Sequence, residues 1–129
     1  MRIFAIALVS AFWVADAQGQ PLPPLVCHVE RKLDSERIYG PDEVVRGKFS
    51  VEILLEGATT LLRRCSFAPS VGRVTCDQYE ADRVTTDSVV RIRKFYYFAG
   101  QFDVQVFSDG SFVENNGRGS IAFGTCKSR

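Results

Sequence analysis

The chain predicts an α+β domain, one short helix packed on an antiparallel β-meander and stapled by two disulfides, with an all-β sandwich as the second choice. Three observations carry this. The C-terminal half is a series of short runs rich in β-branched and aromatic residues, separated by Asp109-Gly110, Asn116-Gly117 and similar turn pairs. One stretch, "GPDEVV" from Gly40, has the chemistry of a helix start. The four cysteines are an even set in a small chain with a secretory leader, which makes two cross-links the default.

The leader comes first. Arg2 is followed by the uncharged apolar run "IFAIALVSAFWVA", and Ala15 and Ala17 then stand two apart, so residues 1–17 read as a signal peptide cleaved after Ala17. The run is too short to cross about 30 Å of hydrocarbon at about 1.5 Å per residue, and no stable membrane insertion is expected. Of 129 residues, 112 remain in the mature chain, enough for one domain with a single core. The loss of Arg2 and Asp16 leaves the net charge at +1. The surface is therefore mixed in sign, and broad electrostatic capture of nucleic acid is not favoured. No Asn-x-Ser/Thr sequence occurs, so N-glycosylation is not expected.

Residues 18–26, "QGQPLPPLV", form a proline-rich lead that runs extended into the domain, 27–129. In "VCHVERKLDSERIY" the "KLDS" piece supplies a turn between two short extended segments. Pro41 suits the first helical position, and Asp42 and Glu43 place negative charge in the first turn. The far end of this helix stays open. Phe49, Val51, Ile53 and Leu55 alternate as a half-buried strand does, which allows a stop near Gly47. Gly57 ends the element.

The four cysteines admit three pairings, and spacing favours one. Pro69, Ser70 and Gly72 lie midway between Cys65 and Cys76, so the flanking runs fold back as a hairpin that sets these two opposite each other. Cys27 and Cys126 then pair near the ends of the mature chain. With no Cys-x-x-Cys spacing and His28 as the single histidine, a metal site is not expected.

The meander raises the one functional question. In "VVRIRKFYYF", residues 89–98, three positive charges lead into four aromatic rings. With a reversal near Ala99-Gly100, the residues Phe95, Tyr97, Phe102, Val104 and Val106 share one face, and Lys94 and Tyr96 lie on the other beside acceptors of the partner strand. Most of the rings are thus core. Arg91 and Arg93 fall at the margin of the apolar face, where they snorkel out or hold an anion. Arg118, presented by the tight turn "NNGRG", and Gly100, in the "AG" hairpin, are the other candidate binding residues, because recognition concentrates on loops carried by a rigid scaffold.

Catalytic constellations are not apparent. His28 adjoins a cysteine committed to a disulfide, acids such as Asp77, Glu80, Asp82, Asp87 and Glu114 have no distinguishing pattern, and "NGRG" lacks the strand-to-helix context of a phosphate loop. No catalytic residue and no cofactor are expected.

Two resemblances add to this. "LVCHVERKLDSERIYGPDEVVRGK" together with "FGTC" before the C-terminus resembles the layout of small secreted fungal ribonucleases and ribotoxins, and of the RNase-like effectors of plant-pathogenic fungi that keep the scaffold without the active site. In the active family a Glu base, a phosphate-holding Arg and a His acid shortly before the last Cys cleave RNA. Arg91 or Arg93 stands where such an Arg would, but no His precedes Cys126 in that segment. The resemblance therefore implies a non-catalytic effector acting on a host or competitor protein, with an RNase-like hydrolase as the alternative. "YYFAGQFDVQV" is similar to the wedge hairpin of cystatin-type protease inhibitors, with Tyr96 and Phe98 where that family has Gln and Val, which gives a protease inhibitor as a further alternative.

Overall fold

The computed structural model describes residues 23–129; the leader, 1–17, and residues 18–22 of the lead lie outside it. Nine strands, β1 (Leu25–Leu33), β2 (Ser50–Glu56), β3 (Thr59–Ala68), β4 (Arg73–Glu80), β5 (Arg83–Thr86), β6 (Arg93–Tyr97), β7 (Phe102–Val106), β8 (Ser111–Asn115) and β9 (Ile121–Ser128), and one helix, α1 (Pro41–Gly47), make up the fold. All strand pairs are antiparallel, and they form a single curled sheet in the order β4-β3-β2-β1-β9-β8-β7-β6-β5. The protein is thus dominated by β-structure, and the nine strands of the described residues belong to one sheet and not to the two that a sandwich packs together.

The chain's two ends meet at the centre of this sheet. β1 pairs with β9 over most of its length, and the Arg129 N–H donates to the Pro24 carbonyl at 2.9 Å. Strand pairing begins at Leu25, so the last two residues of the proline-rich lead belong to β1. Cys27 and Cys126 are opposite partners and are bonded, as are Cys65 and Cys76 across the β3–β4 hairpin.

The two edges of the sheet belong to one continuous segment. Residues 73–80 pair with β3, and the Ala81 N–H still donates to Thr60 on that side. One residue later the Asp82 N–H donates to Tyr96, and β5 continues along β6. The right-handed twist between neighbours, about 20–25° per step, accumulates to roughly 160–200° over nine strands, which rolls the sheet until this short link suffices. Tyr79 of β4 consequently stacks 4.8 Å from Tyr97 of β6, and its ring is 6.0 Å from Phe102 of β7.

The inner face holds the core. Cys27, Val51, Leu62, Phe95, Val104, Val106 and Phe112 are fully enclosed, with Leu25, Ile53 and Phe102 beside them. Phe95, Tyr97, Phe102, Val104 and Val106 do share this face, in the register that a reversal at Ala99-Gly100 dictates. At Gly124 the sheet is too tight for a side chain, because a Cβ there would run into the carbonyl of His28 and the ring of Phe112.

Two local expectations are revised. The helix packs against β1 and β3 of the N-terminal half, burying Val44, and not on the C-terminal meander. It ends at Gly47 because Lys48 turns left-handed at φ 45°, and the ring of Phe49 then lies where any side chain at position 47 would stand. The strand of "RIRKFYYF" begins only at Arg93. Arg91 precedes it in a turn, at φ 56°, because the Asp87 carboxylate draws in the N–H groups of Val89 and Val90 and the Asp87 N–H closes on Ile92.

Candidate functional site

The expected binding residues separate into two pairs. Arg91 and Arg93 line one cleft, of about 650 Å³, with Thr86, Ser88, Ser108 and Ser128. Arg93 lies opposite Val106 on the inner face, half-buried, while Arg91 is exposed on the turn that leads into β6. The Asp87 carboxylate also borders this cleft. The backbone N–H groups of Val90 and Val89 hold its pKa below the usual carboxylate range, so it stays charged and committed to its turn.

Gly100 and Arg118 come together at another mouth. The four-residue turn 98–101 is closed by the Gln101 N–H on Phe98 and tied to the β4–β5 link by the Phe98 N–H on Asp82. Gly100 is not a projecting tip; its backbone lies against the ring of Tyr97, and the turn exposes the large apolar side chain of Phe98. The "NNGRG" turn spans more than the Asn116-Gly117 pair: the Asn116 amide oxygen accepts from the N–H groups of Arg118 and Ser120, with Gly117 and Gly119 at positive φ. This turn packs on the carbonyls of Gly100 and Gln101. Between them opens a space of about 230 Å³ walled by Tyr79, Tyr97, Phe102, Arg64 and Arg118.

A third constellation was not visible as such from the residue pattern. Lys32, Arg64, Asp77 and Glu114 all face a chamber of about 160 Å³ inside the curl, backed by Val29, Phe49 and Ala122. The Arg64 guanidinium donates to a Glu114 Oε1 at 2.6 Å and stacks 4.7 Å from the ring centre of Phe102. Glu114 is buried, with 9% of its side chain exposed, whereas Arg64 keeps 31%. The Lys32 ammonium sits 4.2 Å from the centre of the Phe49 ring and 5.3 Å from that of Tyr39. Burial pushes the Lys32 pKa below the usual lysine range; Glu114 opposes that shift, Arg64 adds to it, and Asp34 opposes it.

The pattern does hold a signal for two of these. Arg64 follows Leu62 at the inward phase of β3, and Glu114 follows Phe112 at the inward phase of β8, so each is a charge where the alternation calls for an apolar side chain. Lys32 has no such signal. It faces inward only because a bulge between Val29 and Arg31 shifts the β1–β9 register by one residue and sets Lys32 opposite Ala122.

No protein-family profile, curated protein or solved structure matches this chain.

Proposed function

We propose that the chain is a secreted binding domain that docks an anionic group of a host or competitor protein in the Arg91–Arg93 cleft. The observation that carries this reading is that two arginines and four hydroxyl residues line one opening of about 650 Å³, whose one acidic residue, Asp87, is engaged by its own turn. A guanidinium presents a planar fork of donors that matches a carboxylate or phosphate with two parallel hydrogen bonds. Two cross-links, one of them joining the first and last strands, suit such a scaffold to an oxidising exterior. Among the described residues no helix is long and apolar enough to cross a membrane.

The test is affinity capture with the secreted protein from extracellular fluid of candidate hosts or competitors. Arg91→Glu/Arg93→Glu loses the captured protein, with affinity down about a hundredfold if each guanidinium supplies a charge-assisted pair. Arg46→Glu, a charge reversal on the exposed helix, keeps it. Capture that survives the double reversal refutes the reading.

One observation favours a second reading, the RNase-like hydrolase. Glu114 and Arg64 stand side by side on the inner face, the residue types that such chemistry uses as base and phosphate holder. Incubation with RNA decides it: cleavage abolished by Glu114→Gln supports a hydrolase, and intact RNA with the unaltered protein removes it.

A further inference from the structure

The charged chamber inside the curl has no part in the Arg91–Arg93 reading, and its chemistry points to a ligand of its own. Its four ionised groups form a row of alternating sign. Asp77 lies opposite Arg64 in the β3–β4 ladder, Arg64 pairs with Glu114, and Glu114 and Lys32 flank Ala122 from either side. The two inner members neutralise each other at 2.6 Å. The outer two do not: among the described residues neither the Lys32 ammonium nor the Asp77 carboxylate has a hydrogen-bond or ion-pair partner. The cation at one end of the row thus meets only the faces of Phe49 and Tyr39, and the anion at the other end only solvent.

Burying a charge against an apolar face is costly unless a partner meets it. Lys32 is half-buried over Phe49 and lines the chamber that Asp77 also borders. The space between has about the volume of a cavity that holds benzene, about 150 Å³, which suits a small organic molecule. Ser66 and Thr75 add neutral hydrogen-bonding groups to the wall. A lone anion would satisfy Lys32 and face Glu114 and Asp77; a lone cation would satisfy Asp77 and face Lys32 and Arg64. Only a molecule with both charges meets both ends of the row.

We propose that this chamber binds a small zwitterion of α-amino-acid size, its carboxylate on Lys32 and its ammonium on Asp77. The ligand bridges β1 and β4, strands that do not pair with each other, and so ties the inner face of the sheet together at its charged end.

Backbone-amide NMR titration of the secreted protein with each of the twenty free α-amino acids tests this. At least one produces saturable shifts at residues 29–32, 64–66, 75–77 and 114. Its des-amino carboxylate and its decarboxylated amine (for alanine, propionate and ethylamine) bind at least tenfold more weakly. Lys32→Met and Asp77→Asn each reduce affinity at least tenfold, and because Asp77 is exposed the second variant reports even if the first misfolds. The proposal is overturned if no amino acid saturates the site at millimolar concentration, if the single-charge counterpart binds as tightly, if the shifts fall elsewhere, or if Asp77→Asn leaves affinity unchanged.

Discussion

Glu114 is the residue on which the interior charge balance turns. Its carboxylate is buried and, among the described residues, pairs with Arg64, whose guanidinium is partly in solvent and partly over Phe102. Breaking a buried pair from one side costs about 3–5 kcal/mol when both partners are enclosed, because an uncompensated charge is left behind. Arg64, at 31% exposure, recovers some hydration, so the expected loss for Glu114→Ala is nearer 2 kcal/mol. Glu114→Gln retains an acceptor for the guanidinium and loses about 1 kcal/mol. The double change Arg64→Met/Glu114→Leu removes both charges together and is less destabilising than Glu114→Ala. Urea denaturation midpoints of the three variants check this. A double variant weaker than the single one would show that the pair contributes net stability of its own.

At the scale of elements, the turns are held by carboxylates as much as by glycines. Asp34 accepts from the N–H groups of Glu36 and Arg37, Asp87 from those of Val89 and Val90, and Asp109 from both the N–H and the hydroxyl of Ser111. In each case these hydrogen bonds hold the carboxyl below the ordinary aspartate range. A folded-state pKa below the unfolded value of about 3.9 gives a contribution that is fully present above that value and is lost as the pH falls through the folded one. Thermal stability therefore declines from about pH 4 downward. The triple change Asp34→Asn/Asp87→Asn/Asp109→Asn flattens that acid limb while leaving the folded spectrum intact, since an amide oxygen still accepts from the same N–H groups. Unfolding midpoints at pH 7, 4, 3 and 2 for both proteins provide the measurement; parallel curves would show that other groups govern the acid response.

The turns at Asp34 and Asp109 were legible in the residues themselves, and so were most of the strands, but the turn that Asp87 holds was not. Asp109-Gly110 and Asn116-Gly117 mark reversals through local chemistry, and the alternation from Phe95 to Val106 sets a face that the structure keeps. What local patterns do not carry is where a ladder slips. The bulge between Val29 and Arg31 leaves hydropathy unmarked, yet it moves Lys32 to the interior and Leu33 away from it. The helix was legible in Pro41, Asp42 and Glu43, but its docking on β1 and β3 was not, because seven residues with one buried valine specify little about their partner. The Arg91–Arg93 cleft likewise depends on Asp87 capping a turn, and not on strand periodicity.

For the whole molecule, the decisive long-range pairing is β1 with β9. It places the first and last strands side by side at the middle of the sheet, and it was legible only through the cysteines, whose pairing joins residues 99 apart. Closure by the segment 73–86 had no such marker; it follows from accumulated twist, a property of the assembled sheet. The two cross-links consequently do unequal work. Cys65–Cys76 closes a hairpin with a sequence separation of 11, which its own turn and ladder already favour. Cys27–Cys126 restrains a separation of 99 and holds the contact from which both half-sheets extend. On the chain-entropy account the short loop stabilises by about 3 kcal/mol and the long one by about 4.7 kcal/mol, so Cys27→Ala/Cys126→Ala should lose about 2 kcal/mol more than Cys65→Ala/Cys76→Ala. Cys27 is also fully buried, and its truncation opens space in the core, which adds to the loss. Equilibrium unfolding in urea ranks the two variants. A hairpin variant as damaged as the terminal one would mean that the β3–β4 arm, and not the pairing of the chain ends, limits the stability of the curl.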